Sequence, residues 1–327
     1  MILVTGGAGF IGSNIVAALC ARGERVVVSD RLGNGDKWRN LSKRPLEDLI
    51  APEALDDWLA GCGDRLRAVI HMGAISDTTE RDADALATNN FGLSKALWRW
   101  CAAKGVPLIY ASSAATYGDG AAGFDDDLSE AYLARLQPLN GYGWSKHLFD
   151  RWVAAQLDDG TARPPAWAGL KFFNVYGPNE YHKGAQASVA YHLFRQIKEG
   201  APARLFQSHN PDYPDGGQLR DFIWVEDCVA VVLWLLDRGE TGGLLNVGTG
   251  QARSFADLAR ALFETLGEPQ NIQYVPTPEA IRDKYQYFTE ARMERLRAAG
   301  YEQPFTSLEE GVGRYLRNHL MTTDPYL

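Results

Sequence analysis

The sequence predicts an α/β protein: a Rossmann-type, doubly wound parallel sheet joined to a smaller α/β lobe that binds a substrate. Three observations predict this fold. Short apolar runs alternate with segments of helical periodicity through the first half, a glycine-rich turn follows the first run, and an acidic residue follows the second. Apolar runs without apolar/polar alternation are typical of strands buried on both faces. Repeated strand–helix units favour a parallel sheet covered by helices.

The first half is predicted to contain four buried strands, Ile2–Thr5, Arg25–Ser29, Ala68–Met72 and Val106–Ser113. Later helices are predicted at Glu226–Asp237, Ser254–Leu266 and Leu308–Leu320. Segments rich in Pro, Gly, Asp and Asn are predicted to be surface loops, at Asp158–Gly169 and Ser208–Gln218. We expect a dinucleotide-binding domain of residues 1–172 plus about 222–247, and a substrate-binding domain of about 173–221 plus 248–327.

The composition excludes several classes of protein. The chain has 327 residues, 46% hydrophobic and 23% charged, which is typical of a folded enzyme rather than a disordered chain. Its net charge of −8 argues against a nucleic-acid or anionic-membrane partner, because either requires a basic surface. No apolar run approaches the ~18 residues that span a bilayer. Four dispersed cysteines without a C-x-x-C pair, and no readable secretory signal, predict a cytoplasmic protein with reduced thiols and no metal site.

A glycine-rich turn, GGAGFIG from Gly6 to Gly12, is the strongest local signal. Glycine is needed where the chain turns sharply, where backbone amides approach a pyrophosphate, and where a helix packs on a strand. The helix that follows presents its positive N-terminus to the phosphates. With the strand, the helix and an acidic residue, Asp30, all in place, the turn predicts a dinucleotide cofactor.

The residues after the second strand bear on which cofactor binds. Asp30 is suited to the adenosine ribose of NAD, but a guanidinium at Arg31 and an ammonium at Lys37 are suited to the 2′-phosphate of NADP. The alternative is that both cations are solvated loop residues. Asp48 and Leu49, after a third short strand, are candidates to border the adenine.

A serine, a tyrosine and a lysine form the candidate catalytic group. Tyr142 and Lys146 have the i, i+4 spacing that brings both to one helix face, and Ser113 ends a predicted strand. A phenol is a poor base at neutral pH, but an adjacent ammonium stabilises the phenolate. The arrangement predicts that Ser113 holds a substrate oxygen, Tyr142 exchanges its proton and Lys146 anchors the nicotinamide ribose.

A series of motifs in fixed order resembles the extended short-chain dehydrogenase/reductase superfamily of nucleotide-sugar enzymes. The motifs span nearly the whole chain: TGGAGFIG, SSAATYG, YGWSK, FNVYGP, LRDFIWVED and NVGTG. This resemblance implies NAD(P) bound by the amino-terminal region and a sugar nucleotide bound by a carboxyl-terminal lobe.

Within the superfamily, the chain is most similar to the NADP-dependent ADP-L-glycero-D-manno-heptose 6-epimerase family. The similarity is carried by TGGAGFIGSNIV, YASSAATYG, HKGAQASV, KYQYFT and LRAAGY. It implies oxidation at C6″ of ADP-heptose to a 6-keto intermediate and reduction from the opposite face, which supplies heptose for the lipopolysaccharide inner core. Tyr142 serves one face in this family and a lysine, matched by Lys183, serves the other.

The resemblance also implies the remaining site residues and the partners. We expect a homo-oligomer, with a pentamer suggested by the family, and NADP rather than NAD as the cofactor. The expected cofactor contacts are Gly6, Gly9, Phe10, Ile11, Gly12, Asp30, Arg31, Lys37, Asp48, Leu49, Met72, Gly73, Ala74, Ser76, Asn89, Tyr142, Lys146 and Val175. The expected substrate contacts are Ser113, Asn174, Lys183, Ala185, His192, Phe206, Ser208, Arg220 and Tyr285.

Some residues depart from the family pattern, and two other functions remain open. Pro52 stands where some members have a lysine suited to the 2′-phosphate, and Ala185 replaces a serine that can contact substrate. Arg220 has an alternative role as an ion-pair partner of Asp221 or Glu226. A UDP-hexose 4-epimerase is the first alternative function, although it has no need of Lys183. A non-catalytic NADP-binding protein is the second, although such proteins commonly lose the tyrosine.

Overall fold

The structure is a computed structural model that describes residues 1–239, 242–282 and 285–327. Lys284, the first residue of the KYQYFT motif, lies outside the described residues. The strands are β1 (Ile2–Thr5), β2 (Val26–Ser29), β3 (Asp48–Ile50), β4 (Ala68–His71), β5 (Leu108–Ser113), β6 (Trp167–Phe172), β7 (Asn174–Tyr176), β8 (Ala203–Phe206), β9 (Leu219–Arg220), β10 (Phe222–Trp224), β11 (Leu244–Val247), β12 (Arg253–Ser254) and β13 (Ile272–Val275).

The α-helices are α1 (Phe10–Ala21), α2 (Leu55–Cys62), α3 (Ala83–Leu86), α4 (Leu93–Lys104), α5 (Glu130–Leu133), α6 (Gly141–Asp158), α7 (Val189–Lys198), α8 (Val225–Arg238), α9 (Phe255–Leu266), α10 (Glu279–Arg282), α11 (Glu294–Ala298) and α12 (Leu308–Tyr315). Short 3₁₀ segments include Asp36–Leu41, Ala114–Tyr117 and Tyr181–Gln186, and π-helical turns lie at Ala87–Gly92 and Leu316–Leu320. No helix of the described residues has the length and apolar character needed to cross a bilayer.

A seven-stranded sheet with the order β11-β6-β5-β4-β1-β2-β3 forms the centre of the molecule. Every pair of neighbouring strands in it is parallel, which confirms the predicted doubly wound sheet. The strand order reverses between β1 and β4. In open α/β sheets, ligands bind outside the carboxyl ends of the strands at such a point.

Most of the predicted elements form close to the expected positions. β1 has the expected bounds, and β2 and β5 begin one and two residues later than predicted. Ser254 caps α9, because its hydroxyl accepts a hydrogen bond from the Asp257 backbone while the Asp257 carboxylate accepts one from the Ser254 backbone. The predicted Leu308–Leu320 helix is α-helical only to Tyr315 and then becomes a π-helical turn.

The predicted loop Asp158–Gly169 is wrong at both ends. Helix α6 continues to Asp158, and β6 begins at Trp167. Gly169 lies inside β6 between β5 and β11, where a Cβ atom would lie 2.4 Å from the ring of Tyr110. This glycine therefore marks close packing inside a sheet rather than a turn.

Two hydrophobic cores support the sheet and the remaining elements. The first fills both faces of the seven-stranded sheet and includes Ala291, Met293, Leu296 and Tyr301 from the carboxyl-terminal region. The second core lies among α7, α9 and α12 and includes Leu193, Leu262, Val312 and Tyr315. Strands β7 and β10 contribute Tyr176 and Trp224 to the second core, so these strands connect the sheet to the smaller lobe.

Replacing Gly169 by alanine tests the close packing inside β6. We expect Gly169→Ala to lower the free energy of unfolding by about 1–3 kcal/mol, because the added methyl group overlaps Tyr110 and Leu244. Gly61→Ala in α2 is the matched control. Its Cβ would meet no atom within 4 Å, so we expect a neutral or slightly stabilising effect. Urea denaturation measures both variants, and equal effects would contradict the packing argument.

Candidate active site

A cleft of about 500 Å³ opens at the carboxyl ends of β1, β4, β5 and β7. This volume is typical of sites that bind small ligands and cofactors. Its wall includes most of the predicted residues, namely Gly6, Gly9, Phe10, Ile11, Gly12, Asp30, Lys37, Met72, Gly73, Ala74, Ser76, Ser113, Tyr142, Lys146, Asn174, Val175 and Lys183. The other predicted residues do not line it: Arg31, Asp48, Leu49, Asn89, Ala185, His192, Phe206, Ser208, Arg220 and Tyr285.

The glycine-rich turn is packed too closely for any side chain at two positions. A Cβ atom at Gly12 would lie 2.1 Å from the carbonyl oxygen of Gly6. A Cβ atom at Gly6, where φ is +65°, would lie 2.6 Å from the Cα atom of Gly73 at the end of β4. Gly9 precedes the first residue of α1, so the positive end of this helix faces the cleft. This arrangement fits a dinucleotide pyrophosphate.

Asp30 connects the glycine-rich turn to a cation. Its carboxylate accepts hydrogen bonds from the backbone N–H groups of Ala8 at 2.8 Å and Arg31 at 2.7 Å. It also accepts a 2.6 Å hydrogen bond from the ammonium of Lys37. A carboxylate and an ammonium therefore stand together at one end of the cleft.

Arg31 is held outside the cleft wall by a carboxylate. Its guanidinium is paired with Glu53 and donates a 3.3 Å hydrogen bond to Asn89 Oδ1. Asp48, also outside the wall, accepts a hydrogen bond from the Trp58 indole, and the Leu49 side chain is exposed.

Ser113, Tyr142 and Lys146 line one part of the cleft. Burial raises the pKa of Tyr142, and a hydrogen bond with Ser113 lowers it in part. Burial lowers the pKa of Lys146 to about 8, and its ammonium donates a 2.9 Å hydrogen bond to the Ala111 carbonyl. The Asp150 carboxylate also raises the pKa of Tyr142, and stabilisation of the Tyr142 phenolate by Lys146 stays a prediction.

A buried ion pair lies behind this group. The Lys171 ammonium and the Asp150 carboxylate are 2.7 Å apart, and both side chains have no exposed surface. Asp150 also accepts a hydrogen bond from Ser112, and Lys171 donates one to Thr116. These contacts join β5, β6 and α6, which carry or flank the candidate catalytic residues.

Lys183 lines the same cleft from a different element, the 3₁₀ segment Tyr181–Gln186 after β7. Its ammonium stands 5.5 Å from the centre of the Phe10 ring. Burial lowers the pKa of Lys183, and the Glu180 carboxylate opposes this shift. Glu180 is fully buried, where it accepts hydrogen bonds from Ser188 and from the Tyr315 hydroxyl, so the segment is tied to α7 and α12.

Arg220 occupies a buried aromatic site in the smaller lobe. Its guanidinium lies 5.5 Å from the centre of the Phe255 ring, which lines the cleft, and 5.4 Å from that of Tyr285. It makes no ion pair with any carboxylate of the described ranges, so the expected alternative pairing with Asp221 or Glu226 is not formed. Burial lowers its pKa.

Four further predicted substrate residues lie outside the cleft wall. Phe206 packs against Tyr285, with ring centres 6.0 Å apart. Ser208 begins the long loop, where its hydroxyl donates a hydrogen bond to the Asn210 carbonyl. His192 on α7 is within 3.4 Å of the Ala185 carbonyl.

Sequence reasoning missed Asn90, which supports α6, the helix that carries Tyr142 and Lys146. Its side chain donates to and accepts from the backbone of Ile75, and also donates to the Ser145 hydroxyl at 2.9 Å. Ser145 in turn donates to the carbonyl of Tyr142. Asn89 was predicted instead. The only sequence signal for Asn90 was its polar side chain on a helix that packs against the sheet.

A model of the NAD dependent epimerase/dehydratase family matches residues 2–248. The chain therefore belongs to this family, and the predicted epimerase-type fold and nicotinamide cofactor are confirmed. A relative that is 47% identical over the full length of both chains is the ADP-L-glycero-D-manno-heptose-6-epimerase of Fusobacterium nucleatum subsp. nucleatum.

Solved structures of similar fold include two sugar-nucleotide epimerases. The ADP-L-glycero-D-manno-heptose-6-epimerase of Helicobacter pylori is 28% identical, with a TM-score of 0.78 over 97% of this chain and 95% of that one. The UDP-glucose 4-epimerase of Thermus thermophilus, in complex with NAD, is 27% identical, with a TM-score of 0.76 over 96% of this chain and 97% of that one.

Removing one partner of the buried ion pair tests its role. We expect Lys171→Met or Asp150→Leu alone to lower the free energy of unfolding by about 3–5 kcal/mol, because each leaves an uncompensated buried charge. The double variant is expected to cost less than the sum of the two.

The exposed pair Lys104–Asp64 is the matched control for this double-mutant cycle, and we expect little change from Lys104→Met or Asp64→Leu. Denaturant unfolding measures the single and double variants of both pairs. Additive costs at positions 150 and 171 would contradict a coupled pair.

Proposed function

We propose that the protein interconverts ADP-D-glycero-β-D-manno-heptose and ADP-L-glycero-β-D-manno-heptose by inversion at C6″, with a tightly bound NADP. The observation that carries this proposal is the presence of two proton-handling side chains, Tyr142 and Lys183, in the cleft that also contains the glycine-rich turn. They come from different elements, α6 and the segment after β7. Inversion of one carbon through a ketone requires acid/base groups that serve two faces.

The cofactor is proposed to lie along the glycine-rich turn. When bound, a nicotinamide cofactor supplies a hydride acceptor and donor for C6″. Gly6, Gly9 and Gly12, which line the cleft without side chains, are proposed to contact the diphosphate, and Asp30 and Lys37 the adenosine ribose. Lys146 is proposed to bind the nicotinamide ribose. Among the predicted contacts, Met72, Gly73, Ala74, Ser76 and Val175 complete the cleft wall around this position.

The proton transfers are assigned to residues of this chain. Ser113 orients the reacting oxygen, and Tyr142, whose pKa is raised by burial, is protonated at neutral pH and donates to the developing alkoxide on one face. Lys183 performs the corresponding transfer on the other face, and its lowered pKa brings it closer to the range of a useful base.

The substrate diphosphate is proposed to bind in the smaller lobe. Arg220 is a buried cation without an ion-pair partner in the described ranges, which favours an anionic ligand. Asn174, Ser208 and Tyr285 are the other proposed contacts. We further propose that the domain built around the first core binds the cofactor and that the lobe built around the second core binds the sugar nucleotide. The protein is proposed to be a cytoplasmic homo-oligomer that supplies heptose for lipopolysaccharide.

Incubation with ADP-D-glycero-β-D-manno-heptose, followed by NMR at C6″, tests the proposal directly. We expect inversion at C6″ and no net change in the nicotinamide. Turnover of UDP-glucose to UDP-galactose without heptose inversion would favour a UDP-hexose 4-epimerase. Binding of dinucleotide without turnover of either sugar would favour a non-catalytic protein.

The variant Tyr142→Phe with Lys183→Met tests the two-base assignment. We expect the rate of inversion at C6″ to fall by about 10²–10⁴-fold or more, because both acid/base groups are removed. Bound nucleotide, measured by its absorbance after release, is expected to stay at the wild-type level. Tyr274→Phe with Lys198→Met changes exposed residues of the same types and serves as the control. Substantial residual inversion would refute the two-base mechanism.

The ratio of NADP to NAD affinity tests the role of Arg31. If its guanidinium binds the 2′-phosphate, Arg31→Ala is expected to lower this ratio about tenfold or more. Glu53→Gln removes the carboxylate that holds Arg31, so we expect it to raise the ratio. Isothermal titration of the nucleotide-free protein measures both, and an unchanged ratio in Arg31→Ala would exclude the phosphate role.

A further inference from the structure

Two short 3₁₀ segments, Asp36–Leu41 and Tyr181–Gln186, bring the ammonium groups of Lys37 and Lys183 to the cleft. A 3₁₀ segment has poorer hydrogen-bond geometry than an α-helix, so it has little rigidity of its own. Gly184, directly after Lys183, also interrupts the second segment with φ of +54° and ψ of −124°. The positions of both cations therefore depend on contacts with other parts of the chain.

One such contact joins the two segments directly. The side-chain amide of Asn40, in the first segment, donates a 3.0 Å hydrogen bond to the carbonyl of Asn179, just before the second. Its nitrogen also lies 3.2 Å from Nδ1 of His182 and donates to the carbonyl of Ala8 in the glycine-rich turn at 2.8 Å. A single side chain therefore connects the glycine-rich turn to both segments.

A second connection is made by residues 324–327, which pack against the residues that precede Lys183. The carbonyl of Pro325 accepts a 3.0 Å hydrogen bond from the hydroxyl of Tyr181. The ring of Tyr326 packs edge-on against the ring of Tyr181, with ring centres 5.2 Å apart. Both contacts therefore fix the residue that lies two positions before Lys183.

The same four residues pack against the residues around Lys37. The guanidinium of Arg39 lies 4.4 Å from the centre of the Tyr326 ring. The ammonium of Lys43 donates a 2.7 Å hydrogen bond to the Tyr326 carbonyl and pairs with the Asp324 carboxylate at 2.9 Å. This ion pair is exposed, so it contributes little stability. The Tyr326 side chain is only 9% exposed, so burial of its ring between the two 3₁₀ segments provides the main contact.

Residues 324–327 are in turn anchored to the smaller lobe. Nδ1 of His319 lies 3.2 Å from the Pro325 carbonyl, and the hydroxyl of Thr322 donates a 2.6 Å hydrogen bond to the His319 carbonyl. His319 belongs to the π-helical turn that follows α12, and α12 contributes to the second core. Residues 324–327 therefore connect this lobe to the two segments that carry cations of the cleft.

We propose that Tyr326 is a positioning residue, whose ring holds the two 3₁₀ segments together and so fixes the Lys183 ammonium in the cleft. This inference rests on the proposed function only in treating Lys183 as the second proton carrier. A displacement of about 1 Å in a reacting group can lower a rate about 10²-fold, so contacts outside the cleft affect catalysis. Tyr326 does not line the cleft wall, and it acts on the reaction through Lys183.

The kinetics of inversion at C6″, measured at saturating dinucleotide, test this role. We expect Tyr326→Ala to lower kcat about 10- to 100-fold and to change KM for ADP-heptose less than about threefold, because geometry rather than binding is lost. Tyr326→Phe keeps the ring, and the Tyr326 hydroxyl makes no hydrogen bond within the part of the chain that the structure describes, so we expect wild-type kinetics. In a Lys183→Met background, Tyr326→Ala is expected to cost little more, because the residue through which it acts is already absent. An equal loss in both backgrounds would overturn the proposal.

The rate at which acetic anhydride acetylates Lys183, followed by mass spectrometry, is a measurement without turnover. Relative to the exposed Lys198, we expect Tyr326→Ala to raise this rate about fivefold or more, because release of residues 324–327 exposes the half-buried ammonium. Tyr326→Phe should be labelled as the wild type is. Tyr181→Phe loses the donor to residues 324–327 and should also raise the rate, which provides a second variant if Tyr326→Ala does not fold. An unchanged rate in the folded variant would refute the positioning role.

Tyr301→Ala is the matched control, because it removes the same side chain from a buried site of the first core that does not line the cleft. We expect it to lower stability while the folded protein keeps the wild-type kcat and the wild-type labelling of Lys183. Effects equal to those of Tyr326→Ala would indicate a general structural role and overturn the inference.

The two measurements separate this inference from the proposed function. If the wild type does not invert C6″ but the labelling of Lys183 follows the expected pattern, the proposed function is wrong and Tyr326 still positions Lys183. If the wild type inverts C6″ and Tyr326→Ala changes neither kcat nor labelling, only the inference is overturned.

Discussion

The ion pair between Lys171 and Asp150 is the interaction on which the part of the cleft formed by the candidate catalytic residues depends. Both side chains are fully buried, and the pair connects β6 to α6 beneath Ser113, Tyr142 and Lys146. A buried pair of this kind contributes little net stability, because desolvation offsets most of the Coulomb energy. The pair nevertheless restricts the positions of both side chains, because Asp150 also accepts a hydrogen bond from Ser112 and Lys171 also donates one to Thr116. The pair therefore fixes the end of β6 against α6, the helix that carries Tyr142 and Lys146.

Side-chain amides attach the part of the cleft wall that carries Lys183 to helix α1. Asn179 has a left-handed backbone with φ of +72°, and its side chain donates to the Ser13 hydroxyl on α1. Asn14, also on α1, donates to the carbonyl of Pro178. These amides attach the segment that carries His182 and Lys183 to the helix that begins at the glycine-rich turn. The glycine-rich turn and Lys183, the proposed second proton carrier, therefore keep a fixed relation, which the proposed transfer between two faces of one carbon requires.

The local part of the site could be predicted from the sequence, and the long-range part could not. Tyr142 and Lys146 are one helical turn apart, and the glycine-rich turn is contiguous, so spacing alone identified them. The burial of Lys171 could not be predicted, because a lysine in a strand normally indicates a solvent-exposed face. Its partner, Asp150, is 21 residues away in the sequence. His182 lies beside a residue that the sequence did identify, but its contact with Asn40 spans 142 residues. Strand β6 was not predicted, and one reason is that Ala168 and Gly169 have low strand propensity. Pairing with β5 on one side and β11 on the other overrides this propensity.

A net charge of −8 does not prevent the protein from binding an anion. The strength with which a cation attracts an anion depends on how deeply the cation is buried rather than on how many cations the chain has. The surface carries the excess of carboxylates, where water screens them. Arg220, in contrast, is 8% exposed between two aromatic rings, and a guanidinium stays charged even when burial lowers its pKa. Holding that charge out of water costs free energy, since no carboxylate of residues 1–239, 242–282 or 285–327 pairs with it. An anionic ligand offsets this cost on binding, so an acidic protein can recognise diphosphates with a few buried cations.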